Sequence, residues 1–256
     1  MQRIKLSIVG TGNVAYQLGE LLEKAGIEFS EVYGRSTESA LDLAKRLKCN
    51  VVDSLSKLTS DLVLVCISDD ALLEVLPLIA EDKKVIYTSG SMHLNTCGRT
   101  TNTGVLYPLQ TLKKEQAIST ANLPLLIEAQ DNDLLKEIEK LANCLSNNVH
   151  VVSSDDRLYY HLSAVWMNNF TTHLVHLSQD ILQKRNLDAA LLKPLLMETA
   201  EKLKQENIRF SQTGPARRGD KHILEFHRSL LSGKQREIYT LISESIQETY
   251  RNDDQL

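Results

Sequence analysis

The sequence predicts an α/β domain built on a mostly parallel sheet, followed by an all-α second domain. Three observations carry that reading. The first half alternates short apolar runs with helical periodicity, which is the pattern of βαβ units. Leu62 to Ile67 is almost continuously apolar, as a central parallel strand covered on both faces must be. After about Ser154 the strand signals stop and only helical patterns remain. The expected domains are therefore residues 1–153 and 154–256.

Ile4 to Val9 reads as the first strand. From Asn13 the period lengthens, with Val14, Leu18, Leu21, Leu22 and Ala25 on one stripe that Gly26 ends. Phe29 to Tyr33 is a second strand, Ala40, Leu41, Ala44 and Leu47 mark a second helix, and Val51-Val52 is at most a short strand. A helix around Ala71 to Ala80 is kinked or cut by Pro77. Further strands are expected at Val85 to Thr88, Val105 to Tyr107, Leu123 to Ile127 and Val149 to Val152. In the second half, one long helix from Asp156 to about Lys184 precedes another over Leu187 to Gln205, whose first turns Pro194 complicates. A polar loop from Asn207 to Asp220 leads to helices over Lys221 to Leu231 and Lys234 to Arg251.

Composition narrows the function classes. The chain has 256 residues, 42% of them hydrophobic, enough for one large and one smaller core. A net charge of -4 without a long basic run argues against nucleic-acid binding, which rests on clustered Lys and Arg. Cys49, Cys66, Cys97 and Cys144 form no CxxC pair, so neither a metal site nor a disulfide framework is expected. Met1-Gln2-Arg3 runs straight into an apolar strand without the features of a signal peptide. No apolar run approaches the ~20 residues of a membrane span. The expectation is a cytoplasmic protein without a membrane partner.

The first strand runs into Gly10-Thr11-Gly12-Asn13-Val14-Ala15 at the start of a helix. Such a string is weak alone and becomes specific between a strand and a helix. Gly10 permits the tight turn, Gly12 lets the backbone approach a pyrophosphate, and the small Ala15 permits close strand–helix packing. The helix N-terminus offers unpaired N–H groups to the anion. The competing explanation is a structural turn in an unliganded domain. The dinucleotide reading makes this a Rossmann-type sheet. The second strand ends Tyr33-Gly34-Arg35-Ser36, where an NAD site usually places an acidic residue for the ribose hydroxyls. Arg35 and Ser36 suit a 2′-phosphate instead, so the expected cofactor is NADP(H). Glu31, inside the strand, is badly placed to substitute.

Several segments then resemble a known family. The glycine loop, Gly34-Arg35-Ser36, Thr88-Ser89-Gly90, Tyr107-Pro108-Leu109-Gln110-Thr111 and Thr213-Gly214-Pro215-Ala216-Arg217-Arg218-Gly219-Asp220 occur in that order. Together they are similar to bacterial NADP oxidoreductases of unassigned reaction that pair a Rossmann-like domain with a C-terminal helical domain of unknown function. That second domain resembles the C-terminal domain of 6-phosphogluconate dehydrogenase. Hydroxyisobutyrate-type relatives carry a Lys four residues before an Asn on the first long helix of the second domain. Here Ala164 and Val165 precede Asn168 and Asn169, so that mechanism does not transfer. The family also usually has His where this chain has Tyr107.

Ligands of such sheets bind beyond the carboxyl ends of the strands. The expected cofactor residues are Gly10, Thr11, Gly12, Asn13, Val14, Arg35, Ser36, Ser68, Asp69 and Ser89; Asp69 and Ser89 are equally ordinary helix caps. Tyr107 and Gln110 are expected to border the substrate. Arg218 could bind a carboxylate or phosphate, or pair with Asp220 to fix its loop. On the long helix, His161, Asn168, Thr172 and His176 return to nearly one face. His161 is the nominated proton donor, with Asn169 as second catalytic candidate, against a structural role for both in helix packing or a dimer interface. The expected activity is hydride transfer between NADP(H) and a small anionic oxo or hydroxy compound. A non-catalytic NADP(H)-binding module is the alternative, and a reductase using a deazaflavin carrier a third reading. A homodimer through the helical domain is expected.

Overall fold

A computed structural model describes residues 4–116, 118, 120–204 and 208–251 of the chain. Met1, Gln2 and Arg3, which precede the expected first strand, lie outside the described residues, as do Gln205 and Asn207 at the ends of an expected helix and loop. The chain divides into two compact units, Met1–Asn169 and Phe170–Leu256.

The first unit carries eight strands: β1 Lys5–Val9, β2 Glu28–Tyr33, β3 Asn50–Val52, β4 Leu62–Val65, β5 Lys84–Tyr87, β6 Thr103–Pro108, β7 Leu125–Ala129 and β8 Val149–Val151. They form one sheet in the order β3-β2-β1-β4-β5-β6-β7-β8. Every neighbouring pair is parallel except β6 and β7. The carboxyl ends of β1, β2, β4, β5 and β6 therefore share one edge. Chain order reverses between β1 and β4, which opens the crevice where such sheets bind ligands.

Among the described residues of this unit the α-helices are α1 Asn13–Lys24, α2 Thr37–Leu47, α3 Asp69–Val75, α4 Asn132–Leu145 and α5 Ser154–Ala164. Leu6, Ile8, Leu64, Ile86 and Leu106 pack one sheet face against Leu18 and Leu22 of α1, Leu43 of α2 and Ile138 of α4. Val63, Val65, Val85, Tyr87 and Val105 pack the other face against Leu72 of α3 and Leu76. This double cover is what the apolar run over β4 demanded. α3 stops at Val75 and tightens into a 3₁₀ turn over Leu76–Leu78, where Pro77 cannot continue the ladder. α4 was not among the expected elements. Its Leu134, Ile138, Leu141, Ala142 and Leu145 line one buried face, and the Asp131 carboxylate caps it by accepting from Asp133 N and Leu134 N.

Strands end at Val151 and helices take over at Ser154, while the first compact unit extends through α5 to Asn169. The expected long helix holds a π-helical turn over Val165–Phe170. Such turns add a residue to the helix and shift the phase of the faces beyond them.

The second unit contains α6 Thr171–Gln183, α7 Lys193–Lys202, α8 Pro215–Arg218, α9 Lys221–Leu230 and α10 Gly233–Tyr250. Pro194 occupies the first turn of α7, where its missing N–H costs nothing. The loop expected before Asp220 contains a 3₁₀ turn, Ile208–Ser211, and the short α8. Among the described residues of this unit only Ala216, Leu224 and Ser243 are buried. Leu191, Met197, Phe226 and Leu241 are 78%, 63%, 56% and 66% exposed. No helix among the described residues is long and apolar enough to cross a membrane, and no cluster there could hold a metal ion.

Candidate active site

The glycine loop leaves β1 at the sheet's reversal point. Gly10 has φ +112, and a Cβ there would lie 2.1 Å from the Cys66 carbonyl oxygen. Its N–H donates to the Tyr33 carbonyl at 2.8 Å, tying the ends of β1 and β2. Only glycine fits. Gly12 is exposed, with open space where a Cβ would point, and it begins α1 without a side-chain cap. The first N–H groups of α1 are thus left for an anion, as a pyrophosphate requires. Ala15 is fully buried, and Val14 packs at the edge of the same core. Thr11 fills the place of a side chain on Gly34, whose Cβ would lie 2.6 Å from Thr11 Cγ2.

Arg35 is exposed and has no hydrogen bond or ion pair with any described residue. Ser36 caps α2, its hydroxyl oxygen accepting from Ser39 N at 3.3 Å, so its O–H stays available as a donor. Guanidinium and hydroxyl together fit a 2′-phosphate. The side-chain oxygen of Asn13 accepts from Lys114 N at 3.1 Å. Beside it the Gln17 amide donates to the carbonyls of Lys113 and Gln116 at 2.6 and 3.1 Å. Lys114 also pairs with Asp42 at 2.8 Å, a contact that holds the Asp42 carboxyl down to about 2. The segment after β6 is thereby fastened to the cofactor helix.

Ser68 begins α3, and Asp69 opens its first turn, accepting a short hydrogen bond from the Ser91 hydroxyl. The buried Ser89 accepts from the N–H groups of Ser91 and Met92 at 3.1 and 2.9 Å, which shapes the turn after β5. Between them Gly90 meets the candidate chemistry. A Cβ on Gly90 would lie 2.7 Å from both His161 Nδ1 and Tyr107 Cζ.

Tyr107 on β6 and His161 on α5 are hydrogen-bonded, Oη to Nδ1, at 2.9 Å with the rings edge to face. Burial, reinforced by the negative charge of Asp69, raises the Tyr107 phenol above its usual range and keeps it protonated near neutrality. The pair lines a cavity of about 670 Å³, together with Leu109, Gln110, Asn168 and Asn169. No Lys, Arg, Asp or Glu is among the residues lining it. Asn168 donates to the Thr111 hydroxyl at 2.6 Å, joining the segment after β6 to the π turn. Nothing in the sequence joins Tyr107 to His161; the fold puts them in contact.

Of the other helix positions, His176 lies in the second unit, 3.8 Å from Asp180, and Thr172 is in the same unit. Arg218 pairs with Asp220 at 3.1 Å, the structural one of its two expected roles. Gly90 stands in the Thr88-Ser89-Gly90 segment that the sequence marks, whereas Gln17, Glu128 and Arg157 carry no such signal. Arg157 is completely buried and pairs with Glu128, although a charged residue inside a helix ordinarily marks a solvated face.

Residues 5–89 match the family described as NADP oxidoreductase coenzyme F420-dependent, and residues 123–246 match a domain of unknown function, DUF2520. A Bacteroides fragilis crystal structure described as a candidate NADP oxidoreductase is 31% identical and covers 96% of this chain and 98% of its own, with a TM-score of 0.88. The chain belongs to this NADP oxidoreductase family. A Thermotoga maritima protein of the same fold is 22% identical, over 96% of this chain and 99% of that one, at a TM-score of 0.79. A reductive aminase from Aspergillus terreus, solved with NADPH and ethyl-5-oxohexanoate, shares the fold at 14% identity, over 98% and 95% of the chains, with a TM-score of 0.72. No curated protein matches the chain. The family match over residues 5–89 spans β1 to the turn after β5.

Proposed function

We propose that the chain is an NADP(H)-dependent oxidoreductase that moves a hydride between the nicotinamide and a small oxo or hydroxy compound. The Tyr107–His161 pair handles the accompanying proton. The single observation that carries this reading is that hydrogen-bonded pair, on the wall of a cavity at the carboxyl end of β6. A hydride added to a carbonyl carbon leaves an alkoxide, which needs a proton from a group within hydrogen-bond reach. A neutral phenol and an imidazole that exchange a proton meet that need without a lysine. The cofactor, when bound, supplies the hydride. Gly10, Thr11, Gly12 and Val14 shape its pyrophosphate cradle, Arg35 and Ser36 receive the 2′-phosphate, and Ser68, Asp69 and Ser89 border the crevice. Asn169 and Gln110 offer amide donors to the substrate oxygen.

A lining without Lys, Arg, Asp or Glu favours recognition by hydrogen bonds and shape over a fixed ion pair. Asp220, paired with Arg218 at 3.1 Å, competes with an anionic group for that guanidinium. The exposed apolar side chains of the second unit favour a homodimer in which a second copy covers them. Cytoplasmic residence is part of the same proposal.

Nicotinamide fluorescence titrations with NADPH and NADH, followed by turnover on a panel of oxo and imino compounds, test the reading. The expected result is preference for NADPH and consumption of at least one panel member. Preference for NADH would overturn the role of Arg35 and Ser36. Tight NADPH binding without turnover of any panel member would favour the binding-module alternative.

A further inference from the structure

We infer that Arg157, locked by Glu128, is a positioning residue for the Tyr107–His161 pair; the inference rests on the reading that this pair handles the proton. Arg157 lies four residues before His161 on α5, so both side chains leave the helix on one face, one turn apart. Its guanidinium is completely buried and donates to Glu128 on β7, to the Met92 carbonyl at 2.5 Å and to the Ser154 hydroxyl at 3.3 Å. Ser154, at the start of α5, donates its N–H and hydroxyl to the same Glu128 carboxylate at 3.0 and 2.7 Å. The Ser154 oxygen accepts from Leu94 N at 2.9 Å.

The residues fixed in this way are the neighbours of the pair. Glu128 stands opposite Val105 in the β6–β7 register, and Tyr107 lies two residues along β6, so Glu128 and Tyr107 project from the same sheet face. Met92 and Leu94 end the turn that carries Gly90, and the Tyr87 hydroxyl also donates to the Met92 carbonyl, at 3.0 Å. One guanidinium therefore ties β7, the turn after β5 and the first turn of α5 into a frame around Gly90, Tyr107 and His161.

Stability does not account for the arrangement. Two charges removed from water recover their desolvation cost only with good geometry, and apolar side chains of similar volume usually serve as well. The Arg157 Nε, moreover, has no partner. What the ion pair supplies, and apolar packing does not, is direction. A planar fork fixes the rotation and height of α5, and with them the reach of His161.

Ring-nitrogen NMR of His161 in the full-length protein, at a pH where the imidazole is neutral, tests this without a substrate. Y107F defines the signal that lacks the hydrogen bond, and H161N identifies the resonance. The double variant R157M/E128L removes both charges and leaves neither orphaned, and E128Q keeps the shape while weakening the lock. Both are expected to bind NADPH like the wild type and to move the Nδ1 signal towards its Y107F position, the double variant further. A wild-type signal in the folded double variant overturns the assignment. Where the double variant does not fold, E128Q decides on the same signal. A signal that Y107F leaves unmoved removes the pair itself, and the proposal with it.

Discussion

The two units of the chain differ in what their own residues bury. The first covers both faces of its sheet, and even its charged groups Arg99 and Arg157 are buried and hydrogen-bonded. In the second, α6 and α7 bury no described residue, and leucines and methionines lie open. Self-sufficiency and incompleteness thus sit on one chain. The first unit can hold side chains to the tolerance that a bound dinucleotide and a proton transfer require. The second leaves apolar side chains open, the surface that the proposed homodimer would cover.

The largest expected effect is at the rigid end of that contrast. Gly10→Ala forces a Cβ onto the Cys66 carbonyl at a positive φ, which should cost about 3 kcal/mol or more and abolish NADPH binding. Thermal melts and fluorescence titration check both; an unchanged melt would show that the loop can move. Next comes the open end. Replacing Leu195 and Met197 on α7 by Glu should turn a dimer into a monomer in light scattering, since each buried apolar side chain contributes about 1.5–3 kcal/mol. A wild-type chain that is already monomeric contradicts the proposed partner surface.

Smaller effects sharpen the first unit alone. Arg35→Ala should weaken NADPH by about tenfold or more and leave NADH nearly unchanged, because a hydrogen bond to a charged group is worth about 1.5–3 kcal/mol. The smallest effect is in pH. Tyr16, Tyr87 and Tyr107 all have pKa values raised first by burial. A raised phenol contributes stability below its unfolded value of about 10 and loses it as pH rises through the folded value. The melting temperature should therefore fall above that pH, and less steeply in Y107F.

Local signals carried most of the fold. The apolar run of β4, the period change at Asn13 and the glycine loop are each written within a few neighbouring residues, and each became the expected element. Pro77 cut its helix as its ring dictates. The candidate site was legible only where its residues are neighbours in sequence. Gly10, Gly12, Arg35 and Ser36 could be read from their place after β1 and β2. Tyr107 and His161 stand 54 residues apart, and nothing in either neighbourhood announces their hydrogen bond. Gly90 looked like loop chemistry until the space it leaves was seen to hold both rings. Nothing local to Arg157 signals its burial, which rests on its pairing with Glu128 across the fold. The π turn has no sequence period of its own, so the continuous helix expected over Asp156 to Lys184 concealed it.

The central claim is that NADPH reduces a substrate beside Tyr107 and His161. Its most direct measurement is NADPH oxidation by wild type, Y107F and H161N on any panel compound the wild type consumes. Loss of a general acid should lower turnover about 10²-fold or more in Y107F and H161N while NADPH affinity holds. Near-normal turnover in both variants would contradict the account.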